Sequence, residues 1–472
     1  MEFIRFDCYF ERMKSSHKIL TVFSVVSFLT LAACAGNGVK NEDADKVATA
    51  SESLIPLFKN YQVNRFVLGN GLRLLIVEDH SSPTLAFQTW FRVGSRDEVP
   101  GRTGLAHFFE HMMFKETKNL KDGEFDRILE GAGAEGENAF TSRDYTAYVE
   151  EMPKDKLELT MKAESDRMVN LVLSEAGFKS EREVVQNERR YRNENNPDGI
   201  MYQEIFDSAF TKHPYHWPVI GYQKDLEDMT TTDAADFYHA YYSPNHATLI
   251  VVGDVVPNQV LAMAKKYYGD LPGSTTPVHT VPQEPAQTSA KHKLMKLNIQ
   301  VEKLLAGYKI PEITNEDIPA LQVLQSVLTG GNSSRLHRAM VETGIASGVE
   351  AYDLEDKDPS LLIVMANLQK GKKATFAESA MLKEIAKLSR EPINETELSR
   401  AKNRLNFGFY EGLVSNDEKA RFLGHYEAVG NGFELGLKIQ NKIQTVTALD
   451  VQAAAKKYLD PNNRTVITGV QK

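Results

Sequence analysis

Tyr242-Ser243-Pro244-Asn245-His246-Ala247-Thr248-Leu249-Ile250 has a counterpart near the end of the chain, Tyr458-Leu459-Asp460-Pro461-Asn462-Asn463-Arg464-Thr465-Val466-Ile467. Each follows a segment of helical pattern, each sets Pro-Asn ahead of a β-branched run, and each run ends in glycine, at Gly253 and Gly469. Two such stretches read as two copies of one domain. Between them, Leu271 to about His292 carries Pro272, Pro277, Pro282 and Pro285 among many Ser and Thr, the composition of a linker. The expected organisation is a first domain over 61–271, a linker over 272–292 and a second domain over 293–472.

Outward from the repeat, the first copy opens with a hairpin signal. Phe66-Val67-Leu68 and the run Leu72 to Val77 flank Asn70-Gly71, a pair that favours the turn matching strand twist. Leu85 to Val93 reads as a strand and so does the run Asn138 to Val149. Phe125 to Leu129, Lys156 to Leu173 and Phe178 to about Asn195 are helical in pattern, the last stopping before Pro197. Strand pairs alternate with runs of helices rather than with single helices, which argues for an α+β class over a doubly wound sheet. The halves are expected to be homologous α+β domains, a sheet with helices packed on it in each, facing each other across a substrate cavity.

The N-terminus is a different material. Lys14, His17 and Lys18 precede an apolar run from Ile19 to Leu31, too short to span a bilayer comfortably, and Leu31-Ala32-Ala33-Cys34 follows. These are the parts of a secretory signal, and the last four residues resemble the bacterial lipobox. Residues 1–33 are read as a lipoprotein signal peptide and Cys34 as the lipidated first mature residue, against a plain signal peptide with an incidental Cys. Residues ahead of Lys14 fit a signal poorly, so Met13 competes with Met1 as the start. The only other cysteine, Cys8, lies in the discarded part, so a disulfide is not expected. Residues 34–60 read as a flexible tether, polar from Gly36 to about Ser53. Ala35 is not the Asp that marks inner-membrane retention, which favours the outer membrane for a lipoprotein facing the periplasm. The formal net charge of −9, without a basic field, gives no reason to expect a nucleic-acid partner.

His107-Phe108-Phe109-Glu110-His111 carries the chemistry. Two imidazoles four residues apart, with a carboxylate just before the second, share one face of a segment that reads as helix after the breaks at Gly101 and Gly104, with Thr103 as its expected cap. Neutral imidazoles suit zinc, and a nearby carboxylate can accept a proton from water. A chain with 12 His can produce the pattern by accident, so it needs a third ligand from elsewhere. Glu181, Val184, Glu188 and Arg192 fall close to one face of a later helix. Glu183, Arg189 and Arg190 around them make a solvated charged face the ordinary reading. His213-Pro214-Tyr215-His216-Trp217 reads as packing. Gly330-Gly331-Asn332-Ser333-Ser334-Arg335-Leu336 lacks the following Lys of a phosphate loop.

Taken together, the inverted zinc motif at His107 to His111, the segment Asn138 to Tyr148 and the segment Glu181 to Glu188 make the chain from about residue 60 onward resemble the pitrilysin and insulin-degrading-enzyme family. It is most similar to the short bacterial members related to the mitochondrial processing peptidase. The resemblance implies His107, His111 and Glu188 as ligands of one Zn2+ per chain, Glu110 as general base and Glu181 as a support behind the ligands. It implies Asn138, Ala139 and Phe140 as an edge strand to which an extended peptide adds. The implied activity is that of a zinc-dependent endopeptidase acting on extended peptides or unfolded segments. One departure stands out: where many members carry a substrate-holding Arg and Tyr in the second domain, this chain has Val341 and Ser347. A homologous partner subunit in a heterodimer is expected to supply the pair, unless Arg335 or another second-half residue substitutes. The alternatives are a non-catalytic assembly or chaperone-like subunit of the same fold, and a periplasmic binding lipoprotein, which leaves the zinc pattern unexplained.

Overall fold

The computed structural model describes residues 51–58, 61–275, 280–353 and 355–472. The expected signal peptide, Cys34 and most of the tether lie outside them. Among the described residues no helix is long and apolar enough to cross a membrane.

Twelve strands form two mixed sheets among the described residues. The first half contributes β1 (Ser51–Phe58), β2 (Tyr61–Val67), β3 (Arg73–Glu78), β4 (Thr84–Phe91), β5 (Glu135–Thr141), β6 (Thr146–Pro153) and β7 (Ala247–Gly253). The second contributes β8 (Lys291–Leu297), β9 (Lys303–Ile310), β10 (Ala346–Asp353), β11 (Ser360–Leu368) and β12 (Arg464–Gln471). Four helices matter below: α1 (Leu105–Met112), α2 (Glu175–Arg189), α3 (Pro197–Ala209) and α4 (Asn416–Gly430).

The repeat is visible in the strand order. The first sheet runs β1-β2-β3-β7-β4-β6-β5 and the second β10-β11-β9-β12-β8. Read from β3 and from β8, both begin with a parallel pair, β3 with β7 and β8 with β12, and continue antiparallel through three more strands. The strand after each Pro-Asn is therefore the one that closes its sheet against the first strand of its repeat.

Two local expectations are corrected. β1 pairs antiparallel with β2 from Ser51 onward, so the ordered body reaches into the segment read as tether. The expected single run from Asn138 to Val149 is two strands of a hairpin, broken where the Ser142 hydroxyl accepts the amides of Asp144 and Tyr145, at 3.1 and 3.2 Å. Helix α2 gives way at Arg190 to a wider turn, and the Asn196 side chain caps α3 with Pro197 in its first turn, as the Pro demands.

The sheets are apolar on both faces. In the first, Leu74, Ile76, Phe87, Phe91, Leu249 and Val251 pack with α1, while Leu75, Val77, Ala86, Trp90, Ile250 and Val252 face a core shared with the second half. Two exchanged helices provide the cover. α4, from the second half, lies across β4 and β7, with Gly424 so close to the Trp90 ring that a Cβ there would sit 2.1 Å from it. α3, from the first half, lies on β9 and β12, where Met201, Ile205 and Phe206 meet Leu305, Ile363 and Ile467.

Polar contacts fix the exchange. Gln88 donates to Asp417 at 2.8 Å. Lys419 meets Asp79 at 2.6 Å, the two side chains being 2% and 3% exposed. Arg65 and Arg73 both reach Glu427. At the other end of the interface, the turn between β10 and β11 enters the first half: Tyr215 donates to Asp144 at 2.8 Å and accepts from the Asp358 amide at 3.0 Å, while Asp358 meets Arg96 and His213. The His213 to Trp217 cluster is thus a seam between the halves. The linker is pinned as well, since Glu284 accepts the amides of Thr211, Lys212 and His213.

Removing the Lys419 charge leaves Asp79 buried without a counter-ion. Lys419→Met is expected to cost about 3–5 kcal/mol in urea denaturation, and adding Asp79→Leu to recover most of it.

Candidate metal centre

α1 is built to be rigid. Its N-cap is Gly104 in the left-handed region, φ 93°, and a Cβ there would lie 2.7 Å from the Ile220 carbonyl oxygen. The exposed amides of the first turn are taken by Glu98, which is 1% exposed and accepts from Gly104 at 2.9 Å and from Ala106 at 2.8 Å. Burial raises the Glu98 carboxyl well above the usual range, with those two hydrogen bonds pulling the other way. Thr103, expected as the cap, instead donates to Asp225 at 2.7 Å and accepts from the Tyr222 amide. Glycine won that position because a neighbouring loop crosses too closely for a side chain.

Helical spacing places His107 and His111 on one face, ring centroids 4.9 Å apart, and α2 brings Glu188 to them. The ligand atoms of the three lie within 4.8 Å of one another. Glu188 Oε2 is 3.7 Å from His107 Nε2 and 3.2 Å from His111 Nε2. It is buried, yet these approaches do not have hydrogen-bond alignment, so the oxygen has no hydrogen-bond partner. Two donors each 2.0–2.1 Å from a tetrahedral zinc are about 3.3 Å apart. Two imidazole nitrogens and a carboxylate oxygen, all within 4.8 Å of one another, are the donor set that zinc takes.

The electrostatics suit a cation. Burial lowers the pKa of His107, favouring the neutral imidazole that metals bind. Burial also opposes charge on His111, but contacts with Glu181 and Glu188 outweigh it and raise its pKa to about 9. For Glu188 burial would raise the pKa, and the approach of His111 with the charges of His107 and Arg192 brings it down to about 2. Arg192 holds the other Glu188 oxygen at 2.7 Å.

Glu181 stands behind the ligands. Its Oε1 lies 2.8 Å from His111 Nδ1, which fixes that ring with Nε2 toward Glu188. Its Oε2 lies 2.9 Å from Lys115. Glu110 is half-buried and, among the described residues, makes no hydrogen bond or ion pair, so its carboxylate is uncommitted. Lys115 and Glu98 are the residues that sequence reasoning missed. The one available signal was the spacing of Lys115, four residues beyond His111; Glu98 had none.

β5 is the edge of the first sheet, bonded only to β6, and it packs beside α1. The side chains expected to meet substrate are otherwise engaged. Ala139 is buried in the core with α1, and Phe140 is buried edge-on to Trp90 at 5.3 Å, under Arg421. Asn138 accepts its neighbour's amide at 2.9 Å. What Ala139 and Phe140 leave open along β5 is backbone. In the second half Val341 packs against the core, and the Ser347 hydroxyl donates to the Asn367 carbonyl at 3.1 Å. Arg335, the possible substitute, is held by both oxygens of Glu397 at 2.9 Å.

Residues 73–222 match the family described as insulinase (peptidase family M16), and residues 228–405 match the peptidase M16 inactive domain. Among curated proteins, the chain is 31% identical to the zinc protease PqqE of Helicobacter pylori, covering 85% of this chain and 91% of that one. It is 25% identical to the uncharacterized zinc protease YmxG of Bacillus subtilis, over 84% and 95%. The crystal structure of a protease from Helicobacter pylori superposes with a TM-score of 0.82 at 30% identity, covering 86% of this chain and 99% of that one. A peptidase M16 inactive domain from Pseudomonas fluorescens, with TM-score 0.79 at 18% identity over 87% and 98%, shares the fold.

Glu181→Gln keeps the size of the side chain and removes the charge behind His111. It is expected to weaken zinc binding about 10–100-fold, read by competition with a chromophoric chelator.

Proposed function

Because this chain belongs to the insulinase family, peptidase family M16, we propose that it is a zinc-dependent endopeptidase in which His107, His111 and Glu188 hold the metal and Glu110 is the general base. The observation that carries the reading is the convergence of His107 Nε2, His111 Nε2 and Glu188 Oε2 beside an uncommitted carboxylate. Zinc, when bound, supplies Lewis-acid polarisation of a peptide carbonyl and makes water more acidic. Glu110 takes the proton from the attacking water and returns it to the leaving amine nitrogen. Glu181 keeps His111 oriented throughout.

The substrate is an extended peptide or an unfolded segment that adds as a strand along β5. Main-chain hydrogen bonds to that edge give affinity with little demand on sequence. Ala139 and Phe140 shape the edge from behind, since their side chains are buried. A homologous partner subunit supplies the Arg and Tyr that hold the substrate from the far side. This is supported by Val341 and Ser347 at those positions and by the commitment of Arg335 to Glu397. The non-catalytic subunit is the second reading, favoured by the description of the family matching residues 228–405. That description covers none of the ligand residues, and the zinc set of the first half argues for catalysis.

The test is cleavage of unstructured peptides with and without a chelator. Glu110→Gln is expected to retain zinc and lose at least a thousandfold in kcat/KM, consistent with loss of both base and acid steps. Chelator-resistant cleavage would sink the reading. Adding a homologue that carries Arg and Tyr is expected to raise the rate, and full activity of the isolated chain would remove the need for a partner.

The chain is further proposed to be a lipoprotein held through Cys34 on the periplasmic face of the outer membrane. Cys34→Ser is expected to move it from the membrane pellet to the soluble fraction of a cell lysate.

A further inference from the structure

We infer that Lys115 is a positioning residue of the metal centre: it holds the second oxygen of Glu181, so that Glu181 stays behind His111 and keeps that ring turned with Nε2 toward Glu188. The inference rests on the metal reading of His107, His111 and Glu188 and adds to it a residue that fixes the carboxylate behind one of the ligands.

Two carboxylates share one imidazole. Glu181 and Glu188 lie two turns apart on the same face of α2, and both touch His111, Glu181 at Nδ1 and Glu188 at Nε2. Glu188 is therefore on the ligand side of the ring and Glu181 on the side away from it, where it can only orient the imidazole. A carboxylate with a free second oxygen can turn off Nδ1 and release the ring. Glu181 has two oxygens and His111 occupies one. Lys115 occupies the other at 2.9 Å. Asp122, the other acid near Lys115, is 3.8 Å away and largely exposed, so Glu181 is the main partner of the ammonium group.

Lys115 is placed to do this by the end of α1. The Lys115 amide donates to Met112 at 3.0 Å and the Phe114 amide to His111 at 3.1 Å, so the chain keeps turning for one more step past the helix. Immediately after it, Glu116 and Lys118 bond through their backbones to Val172 and Asn170. The lysine stem thus leaves a fixed backbone and reaches α2 alongside His111. The ligand, its supporting carboxylate and the cation that orients that carboxylate form one line, His111 to Glu181 to Lys115. An ammonium serves as a compact charge with several donors, and Arg can replace its charge while losing some of the fit.

The test uses the full chain, stripped of metal and titrated with zinc against a chromophoric chelator, with cobalt absorption as a second readout. Lys115→Met is expected to weaken zinc about tenfold and to change the visible cobalt spectrum, because the His111 ring is no longer held in one orientation. Lys115→Arg is expected to stay within about threefold of wild type, the rescue that a charge-based role requires. In the Glu181→Gln background Lys115→Met should have no further effect, because nothing is left to position. Lys115→Gln serves as a second neutral variant, and the thermal midpoint of each metal-free variant shows whether it folds. Wild-type zinc affinity and an unchanged cobalt spectrum in Lys115→Met or Lys115→Gln would overturn the inference. So would a penalty that persists in full without Glu181. A wild-type chain that binds no stoichiometric zinc fails earlier, at the metal reading itself.

Discussion

Both sheets of this protein are apolar on two faces, and neither half has the cover for both of its own. The exchange of α3 and α4 answers that constraint. Trp90 lies against Gly424 of α4, and Met201 and Ile205 of α3 lie over the second sheet. Each half thereby completes the core of the other, and the linker contributes a tie rather than the joint. The interface between halves held this way is pinned at both ends. Its two ends are set by the Lys419 to Asp79 pair and by the hydrogen bonds of Tyr215, Asp144 and Asp358.

The metal centre inherits its rigidity from the first of these cores. α1 is buried on the side that faces the sheet, its start is held by Glu98 and Gly104, and its end passes directly into Lys115. His107 and His111 cannot move without moving that helix. The carboxylates come from α2, a separate element with its own packing, so the site depends on the contact between two helices. This explains why the polar groups are shared so closely. His111 serves both Glu181 and Glu188, and Arg192 and Lys115 each hold an oxygen that would otherwise be loose.

How much of this could be read from the chain depended on the range of the signal. His107, Glu110 and His111 are set by one turn of helix, and Glu181 with Glu188 by two, so spacing alone was enough to group them. The strand pairs of the repeat were legible for the same reason, since alternation and the Asn-Gly turn are local. Lys115 was not, because Glu181 is brought to it by tertiary structure, and Glu98 was not, because an irregular loop turns it back onto the amides of Gly104 and Ala106 and no periodicity marks such a loop. The exchange of α3 and α4 was hidden because periodicity shows that a helix has a buried face but not which sheet it faces. β1 was missed because Pro56 and the polar residues ahead of it argue against a strand, an argument that fails at a sheet edge, where Pro is tolerated. The turn after Thr141 was missed because a serine hydroxyl, not glycine or proline, makes it.

The duplication also explains why one half has the chemistry. In the first copy, α1 follows β4 and precedes β5; in the second, Ile318–Thr329 holds the same place between β9 and β10. That helix reads Ile-Pro-Ala-Leu-Gln-Val-Leu-Gln-Ser-Val-Leu-Thr, is buried along most of its length and offers no imidazole or carboxylate. Among the described residues the only group suited to a metal is His107, His111 and Glu188. Yet the second copy keeps the edge strand β10 in the position that β5 occupies in the first. The fold thus presents two equivalent strand edges, one beside the helix with the candidate ligands and one beside a helix without imidazole or carboxylate. Under the proposed reading, a peptide between the halves would meet the candidate ligands on one side and only backbone and packing on the other. The position where a donor would complete that second wall is filled by Val341, packed inward, and Ser347, bonded to its own sheet.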